Sequence, residues 1–205
     1  MRKYIAEMIG TFAMVFCGTG AIIIDQQTNG QVGHIGIAIT FGLIVTAIIY
    51  AFDDISGAHT NPAVTIAFSL AGLFRRSEIL PYILFQVTGA FIATAVLKFL
   101  FPLDINLGAT LPSGTQSQSF VLEVLLTFIL MLVILCTSQG SKEAGTMAGI
   151  AIGSIVLLEA MFAGPICGAS MNPARSLAPA IVSGGASLSV LCWRLIRSSP
   201  KPDSV

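Results

Sequence analysis

The sequence predicts an all-α membrane protein: an inverted repeat of apolar helices, with two short helices that enter the bilayer without crossing it. Three observations carry this. The 205 residues are 55% hydrophobic and 10% charged, with a mean hydropathy of +0.88, whereas a soluble domain carries about 25% charged residues. Five apolar runs are long enough, or nearly so, to cross a hydrocarbon core about 30 Å thick as helices. Two polar interruptions, "SGAHTNPAVTIAF" at Ser56–Phe68 and "CGASMNPARSLAP" at Cys167–Pro179, share an Asn-Pro-Ala triplet two residues after Gly-Ala.

The first span is Tyr4–Ile24. Arg2 and Lys3 before it imitate the start of a signal peptide, but Glu7 interrupts the apolar stretch and more spans follow, so it reads as a transmembrane helix. Span two is Gly33–Phe52, with His34 at its interfacial edge. A short run, about Pro62–Phe74, follows the first triplet and is too short to cross. Spans three, four and five are Ile79–Phe101, Ser119–Thr137 and Ala144–Ala163. The second short run, Pro173–Val182, follows the second triplet. If the spans alternate, Arg2 and Lys3, Arg75 and Arg76, and Lys142 share one side. The positive-inside rule makes that side the cytoplasm. Lys98, near the other end of span three, is the exception and is expected to snorkel to the interface. A multi-pass protein of the cell (inner) membrane with a cytoplasmic N-terminus is therefore expected.

The chain repeats itself. Ile55–Phe68 and Ile166–Pro179 match at seven of fourteen positions without a gap, 111 residues apart. Glu7, Thr11 and Phe12 in span one recur as Glu123, Thr127 and Phe128 in span four. One membrane domain over 1–205 is expected, made of halves at about 1–110 and 115–205. Each half has an odd number of expected spans, so the second lies inverted. Inverted repeats with interrupted helices point to a pathway near the bilayer midplane.

Asn is a strong helix N-cap, and Pro suits the first helical position because its missing N–H would be unpaired there anyway. Each triplet therefore starts a short helix, and in an inverted repeat the two starts meet in the middle. Non-helical backbone at that depth must be buried or line a wet cavity, so the junctions flank a pore. Each helix start carries roughly half a positive charge, which repels cations. Asn61 and Asn172 can cap with their oxygens and still offer N–H groups to a passing water or hydroxyl oxygen. Such contacts break the orientation of a water chain and oppose proton conduction. Arg175 follows the second triplet where the first has Val64, so its charge is not needed to build the helix. It reads as a donor and cation barrier at a constriction; the competing reading is a structural Arg paired with a carboxylate.

The motifs "SGAHTNPAVT" and "GASMNPARS", the Arg and the repeat together resemble the aquaporin and glycerol-facilitator family, the major intrinsic proteins. The phrase "AGPICGASMNPARSLAPAIVS" is most similar to the nodulin-26-like branch and its bacterial relatives, over roughly residues 3–184. The resemblance implies the aquaporin-like fold. It makes Asn61, Pro62, Ala63, Asn172, Pro173 and Ala174 the pore motifs, and Phe41, Ala160, Ala169 and Arg175 the selectivity filter. Water-selective members have His where Ala160 stands; with Ala169 also small, the hole is wide. Phe41 then gives an apolar wall opposite the donors of Arg175, which suits a small polyol. Glycerol, urea and undissociated metalloid acids are the implied solutes, along with water, and a homotetramer is the implied assembly. Glu7 and Glu123 are implied to be structural carboxylates that hold the short-helix loops, with a proton relay as the alternative. His59 is implied to line the pore, either as a plain hydrogen-bonding group or as a pH gate. Glu159 is turned by a helix step of about 100° away from a pore that Ala160 faces, free to bond loop backbone.

The pattern fails after "PAIVSGG". A counterpart of span three belongs at about 190–212, but only Leu188–Trp193 is apolar before Arg194 and the chain ends at Val205. The sixth transmembrane helix is expected to be missing or truncated, with 185–205 an atypical tail. That leaves a nonfunctional truncated copy as one alternative and a mainly water-selective pore as another. A coupled transporter would need an ion site, and no carboxylate adjoins either triplet. An enzyme would need a metal cluster or a nucleophile with His and an acid in register, and the pattern lacks both. The four cysteines have no metal or redox spacing and read as small buried hydrophobes. No cofactor, metal or nucleic-acid partner is expected.

Overall fold

A computed structural model describes residues 1–140 and 142–183. The helices are α1 (Arg2–Gln27), α2 (Gly33–Ser56), α3 (Pro62–Leu70), α4 (Ile79–Leu100) entered through a 3-10 turn at Arg76–Glu78, α5 (Gln116–Ser138), α6 (Lys142–Cys167) and α7 (Pro173–Val182). Among the described residues, five of these are long and apolar enough to cross a membrane. The spans α1, α2 and α4 with the half-length α3 form one half of the repeat. Helices α5, α6 and the half-length α7 form the other.

Without a hydrophobic drive between helices in lipid, close packing has to hold the spans together, and small residues permit it. A Cβ on Gly89 of α4 would lie 2.2 Å from the Met8 carbonyl oxygen of α1. The two halves meet in the same way: a Cβ on Gly42 of α2 would lie 2.6 Å from Leu157 Cβ and 2.7 Å from the Gly153 carbonyl oxygen of α6. One apolar cluster, which includes Leu126, Leu130, Ile134 and Ala163, sits between α5 and α6. Another joins Met14, Val15, Ile48, Ala90 and Ala93 to Ala174 and Ala178 of α7. The N-terminal ends of α1 and α4 lie together, tied by the Lys3–Glu78 ion pair at 2.8 Å and by Tyr4 Oη donating to Glu78 Oε2 at 2.8 Å.

Several expectations change in detail. The first short run was expected to reach Phe74, but α3 stops at Leu70. Leu73 N donates to Phe68 O at 2.9 Å and Gly72 adopts φ +76, a left-handed conformation glycine takes without penalty. Leu73 and Phe74 thus belong to the turn. Lys98 does not only reach for the interface: its Nζ donates to the Val182 carbonyl at 2.7 Å, capping the C-terminus of α7. His34 is exposed, as expected at a span edge, and it also has a partner. Pro165 inside α6 has no N–H for the Met161 carbonyl, and His34 Nε2 lies 2.7 Å from that oxygen. The cysteines are not uniformly buried: Cys167 is, Cys17 is half-buried and Cys136 is exposed on α5. Cys192, the side chain of Lys142, and the expected loss of a sixth span with its tail fall outside the described residues.

The Gly89 contact can be tested directly. Gly89→Ala forces overpacking between α1 and α4 and is expected to cost about 1–3 kcal/mol. Thermal unfolding in detergent should show a clearly lowered midpoint, and an unchanged one would contradict the packing described.

Candidate functional site

The two triplets are built alike because their local chemistry is alike. Asn61 is extended (φ −152, ψ 121) and its Oδ1 accepts from Ala63 N at 2.9 Å, with Pro62 opening α3. Asn172 is extended (φ −141, ψ 107) and its Oδ1 accepts from Ala174 N at 3.0 Å and Arg175 N at 3.3 Å, with Pro173 opening α7. Capping consumes each side-chain oxygen and leaves each amide nitrogen free to donate. The amides then cross between the halves. Asn61 Nδ2 donates to the Met171 carbonyl at 2.8 Å, and Asn172 Nδ2 donates to the Thr60 carbonyl at 3.0 Å. Each accepting residue directly precedes the other asparagine. Each amide nitrogen carries a second hydrogen, and both asparagines line one cavity of about 450 Å³.

The backbone leading into each triplet repeats as well. Gly57 and Gly168, Ala58 and Ala169, and Thr60 and Met171 all have positive φ. Left-handed backbone at a non-glycine residue costs roughly 1–2 kcal/mol, so something must hold it. In the first half that is Glu7, fully buried. Its Oε1 accepts from Ser56 Oγ at 2.7 Å and His59 N at 3.0 Å, and its Oε2 from Thr60 N and Gln86 Nε2, both at 2.7 Å. In the second half Glu123 accepts from Ser170 N on Oε1 and Met171 N on Oε2, both at 2.8 Å. His59 is buried, stacked on Phe68 with centroids 4.8 Å apart, and its Nδ1 lies 3.1 Å from Thr65 Oγ1. It lines the cavity, as do Asp53, Leu73 and Phe74.

Phe41, Ala160, Ala169 and Arg175 line the same cavity. Arg175 is 3% exposed, and no carboxylate lies within ion-pair distance of it among the described residues. The competing reading, a structural Arg paired with a carboxylate, finds no partner among the described residues. Phe41 and Arg175 do not face each other across a gap, as the sequence reading had it. The guanidinium carbon lies 5.3 Å over the Phe41 ring centroid, a cation–π contact that makes the two side chains one wall.

Glu159 departs from its expected place. It is 4% exposed, yet among the described residues neither carboxyl oxygen has a hydrogen-bond partner, so the bond to loop backbone is not made. Its turn away from the cavity does hold, since it is absent from the lining. Other contributors escaped the sequence reading. Met14 lines the cavity, with its sulfur 3.8 Å from Asn172 Nδ2. Gly18 makes room for Phe41: a Cβ there would lie 2.2 Å from Phe41 Cε1. The run "CGTG" in span one was a signal for close approach, but it named no partner.

The Major intrinsic protein family profile matches residues 1–193. Aquaporin NIP1-1 of Zea mays is 41% identical over 98% of this chain and 77% of its own length. Aquaporin NIP1-2 of Arabidopsis thaliana is 44% identical over 89% of this chain and 65% of its own, and Nodulin-26 of Glycine max 40% over 90% and 68%. The X-ray structure of the aquaglyceroporin from Plasmodium falciparum superposes with a TM-score of 0.78 at 30% identity, covering 89% of this chain and 80% of that one.

Two substitutions separate the two kinds of buried carboxylate. Glu7→Gln turns an acceptor into a donor facing donors and is expected to cost about 2–3 kcal/mol. Glu159→Met removes a buried group with no hydrogen-bond partner among the described residues and is expected to stabilise by about 1–2 kcal/mol. Thermal unfolding in detergent checks both, and equal effects would mean the two sites are not distinguished by their bonding.

Proposed function

The chain belongs to the major intrinsic protein family, and from that we propose that it is a passive transmembrane channel for small neutral solutes, glycerol, urea or metalloid acids, and water. The observation that carries this is the crossed pairing of Asn61 and Asn172 at a cavity that also reaches a buried Arg175 with no carboxylate partner among the described residues. Two helix starts, each with roughly half a positive charge, and one guanidinium make the path hostile to cations. The second amide hydrogen of Asn61 and the guanidinium N–H groups offer donors to a hydroxyl or water oxygen, while that of Asn172 is turned to the Met14 sulfur. Nothing along this path calls for a coupled ion or a covalent step, and the relatives are named as aquaporins and not as enzymes.

The width follows from side-chain size. Ala160 and Ala169 present only methyl groups, so the space beside the Arg175–Phe41 wall can take a carbon chain as well as water. A solute can place its hydroxyls toward the guanidinium and its carbons toward the ring edge. Glu7 and Glu123 act in this reading as structural carboxylates, and His59 as a hydrogen-bonding element of the inner vestibule. The reading places the protein in the cell (inner) membrane with the N-terminus cytoplasmic, on the basis of Arg2, Lys3, Arg75 and Arg76 at one end. It takes the assembly to be a homotetramer, each subunit with its own pore.

Stopped-flow light scattering on proteoliposomes tests it. Fast shrinkage in sucrose and fast reswelling in glycerol are expected, both well above empty vesicles. Shrinkage without reswelling would make the pore water-selective, and no flux from inserted protein would reject the channel. Arg175→Val is expected to keep neutral flux and gain a leak of protons or small cations. A unit charge at about 4 Å and an effective dielectric of about 20 repels a monovalent cation by about 4 kcal/mol. A leak raised roughly a hundredfold or more is thus expected, read as the decay of an imposed pH gradient.

A further inference from the structure

The guanidinium of Arg175 has one hydrogen-bond partner among the described residues, and it comes from outside the repeat. Arg175 Nη1 donates to Thr110 Oγ1 at 3.4 Å. Thr110 lies in the connection between α4 and α5, which shares no motif with either triplet. That connection is strapped down. Asp104 Oδ1 accepts from Asn106 N at 3.1 Å and Leu107 N at 2.6 Å, and Leu107 is fully buried against Ile23 and Leu97. Gly108 approaches α1 so closely that a Cβ would lie 2.9 Å from Thr19 Cβ. On the other side, Ser113 N donates to Ile166 O at 2.9 Å and Ser113 Oγ to Pro165 O at 2.6 Å. Thr110 is held between these anchors.

Its side chain makes two different contacts. The hydroxyl lies 2.7 Å from Ser176 Oγ, which is hydrogen-bonded in turn to Ser170 Oγ, and Ser170 Oγ donates to the Asn172 carbonyl at 3.0 Å. A chain of hydroxyls thus runs from the asparagine to the arginine. The γ-methyl presses on the backbone: a Cβ on Gly168 would lie 2.3 Å from it. A buried arginine has many rotamers, and ordering a long side chain carries an entropic cost. One fixed acceptor on the side away from the cavity selects the rotamer that lies over Phe41.

We propose that Thr110 is a specificity-determining positioning residue, whose hydroxyl holds the Arg175 guanidinium on the Phe41 ring and out of the aperture. Without it the guanidinium swings into the space beside Ala160 and Ala169, and obstructs a carbon-chain solute more than water. The inference rests on the channel reading above, and its test separates the two.

Glycerol and water permeabilities are measured in proteoliposomes for the unmodified protein, Thr110→Val, Thr110→Ser, Arg175→Val and the Thr110→Val/Arg175→Val double variant, with Thr110→Ala as a second hydroxyl deletion in both backgrounds. Val keeps the methyl and loses the hydroxyl; Ser keeps the hydroxyl and loses the methyl. Thr110→Val is expected to lower the glycerol-to-water ratio about three- to tenfold, the range of one lost hydrogen bond. Thr110→Ser is expected to retain the ratio. In the Arg175→Val background the loss of the hydroxyl is expected to change nothing further, since Thr110 acts through Arg175. The inference is overturned if Ser behaves as Val does, if neither hydroxyl deletion moves the ratio, or if either moves it equally without Arg175. Absence of flux in the unmodified protein, or an Arg175→Val variant with an unchanged ratio and no ion leak, would instead overturn the channel reading and take this inference with it.

Discussion

Two helix N-termini pointing at each other inside a membrane repel, and the structure depends on how that repulsion is contained. Each carries roughly half a positive charge and unpaired N–H groups. The crossed amide bonds, Asn61 to the Met171 carbonyl and Asn172 to the Thr60 carbonyl, pin the two ends together through groups that capping leaves unused. The accepting carbonyls are aimed correctly only because Thr60 and Met171 take left-handed backbone. That backbone is held in turn by N–H groups anchored on Glu7 and Glu123. The carboxylates, the twisted segments and the asparagines therefore form one device made twice. The close-packed glycine contacts of α1 with α4 and of α2 with α6 keep its two copies in register.

The halves are alike in backbone and unlike in side chains. Val64 and Arg175 occupy matching positions, and so do His59 and Ser170. One end of the cavity is an aromatic and imidazole vestibule around His59, Phe68 and Phe74; the other is a guanidinium lying on a ring. The repeat supplies the scaffold, and departures from it make the two groups of cavity-lining side chains differ.

What could be read in advance divides by range. The spans and the short helices were legible because apolar length and N-cap chemistry are local, and Asn-Pro-Ala is as plain a helix start as sequence offers. The meeting of the two starts followed from counting spans, but not the crossing of the amides, which needs coordinates. The end of α3 was missed because Leu73 and Phe74 continue an apolar run that Gly72 has already turned. Phe41 and Arg175 were singled out together by the family resemblance, carried over by distance from each asparagine, yet their stacking depends on side-chain torsions that neither resemblance nor spacing encodes. Thr110 could not have been picked out: it sits in an unremarkable connection, and its importance comes from what α6 and α7 bring to it. Glu159 misled because a helix step shows which way a side chain leaves its helix, not whether a donor waits there.

The crossing has a consequence for biosynthesis. The bonds of Asn61 and Asn172 span 110 and 112 residues of chain. When α3 first leaves the ribosome, the acceptor for the Asn61 amide has not been made, and an unpaired polar group in lipid is costly. The first half therefore cannot reach its final state alone. Its re-entrant segment stays unsettled while three further helices, α4, α5 and α6, are threaded, and it locks only when Met171 arrives. Long-range closure of this kind is slow and exposes intermediates to misassembly. A quality-control system that senses polar surface within the bilayer would thus see every newly made copy as unfinished until the second triplet has been inserted.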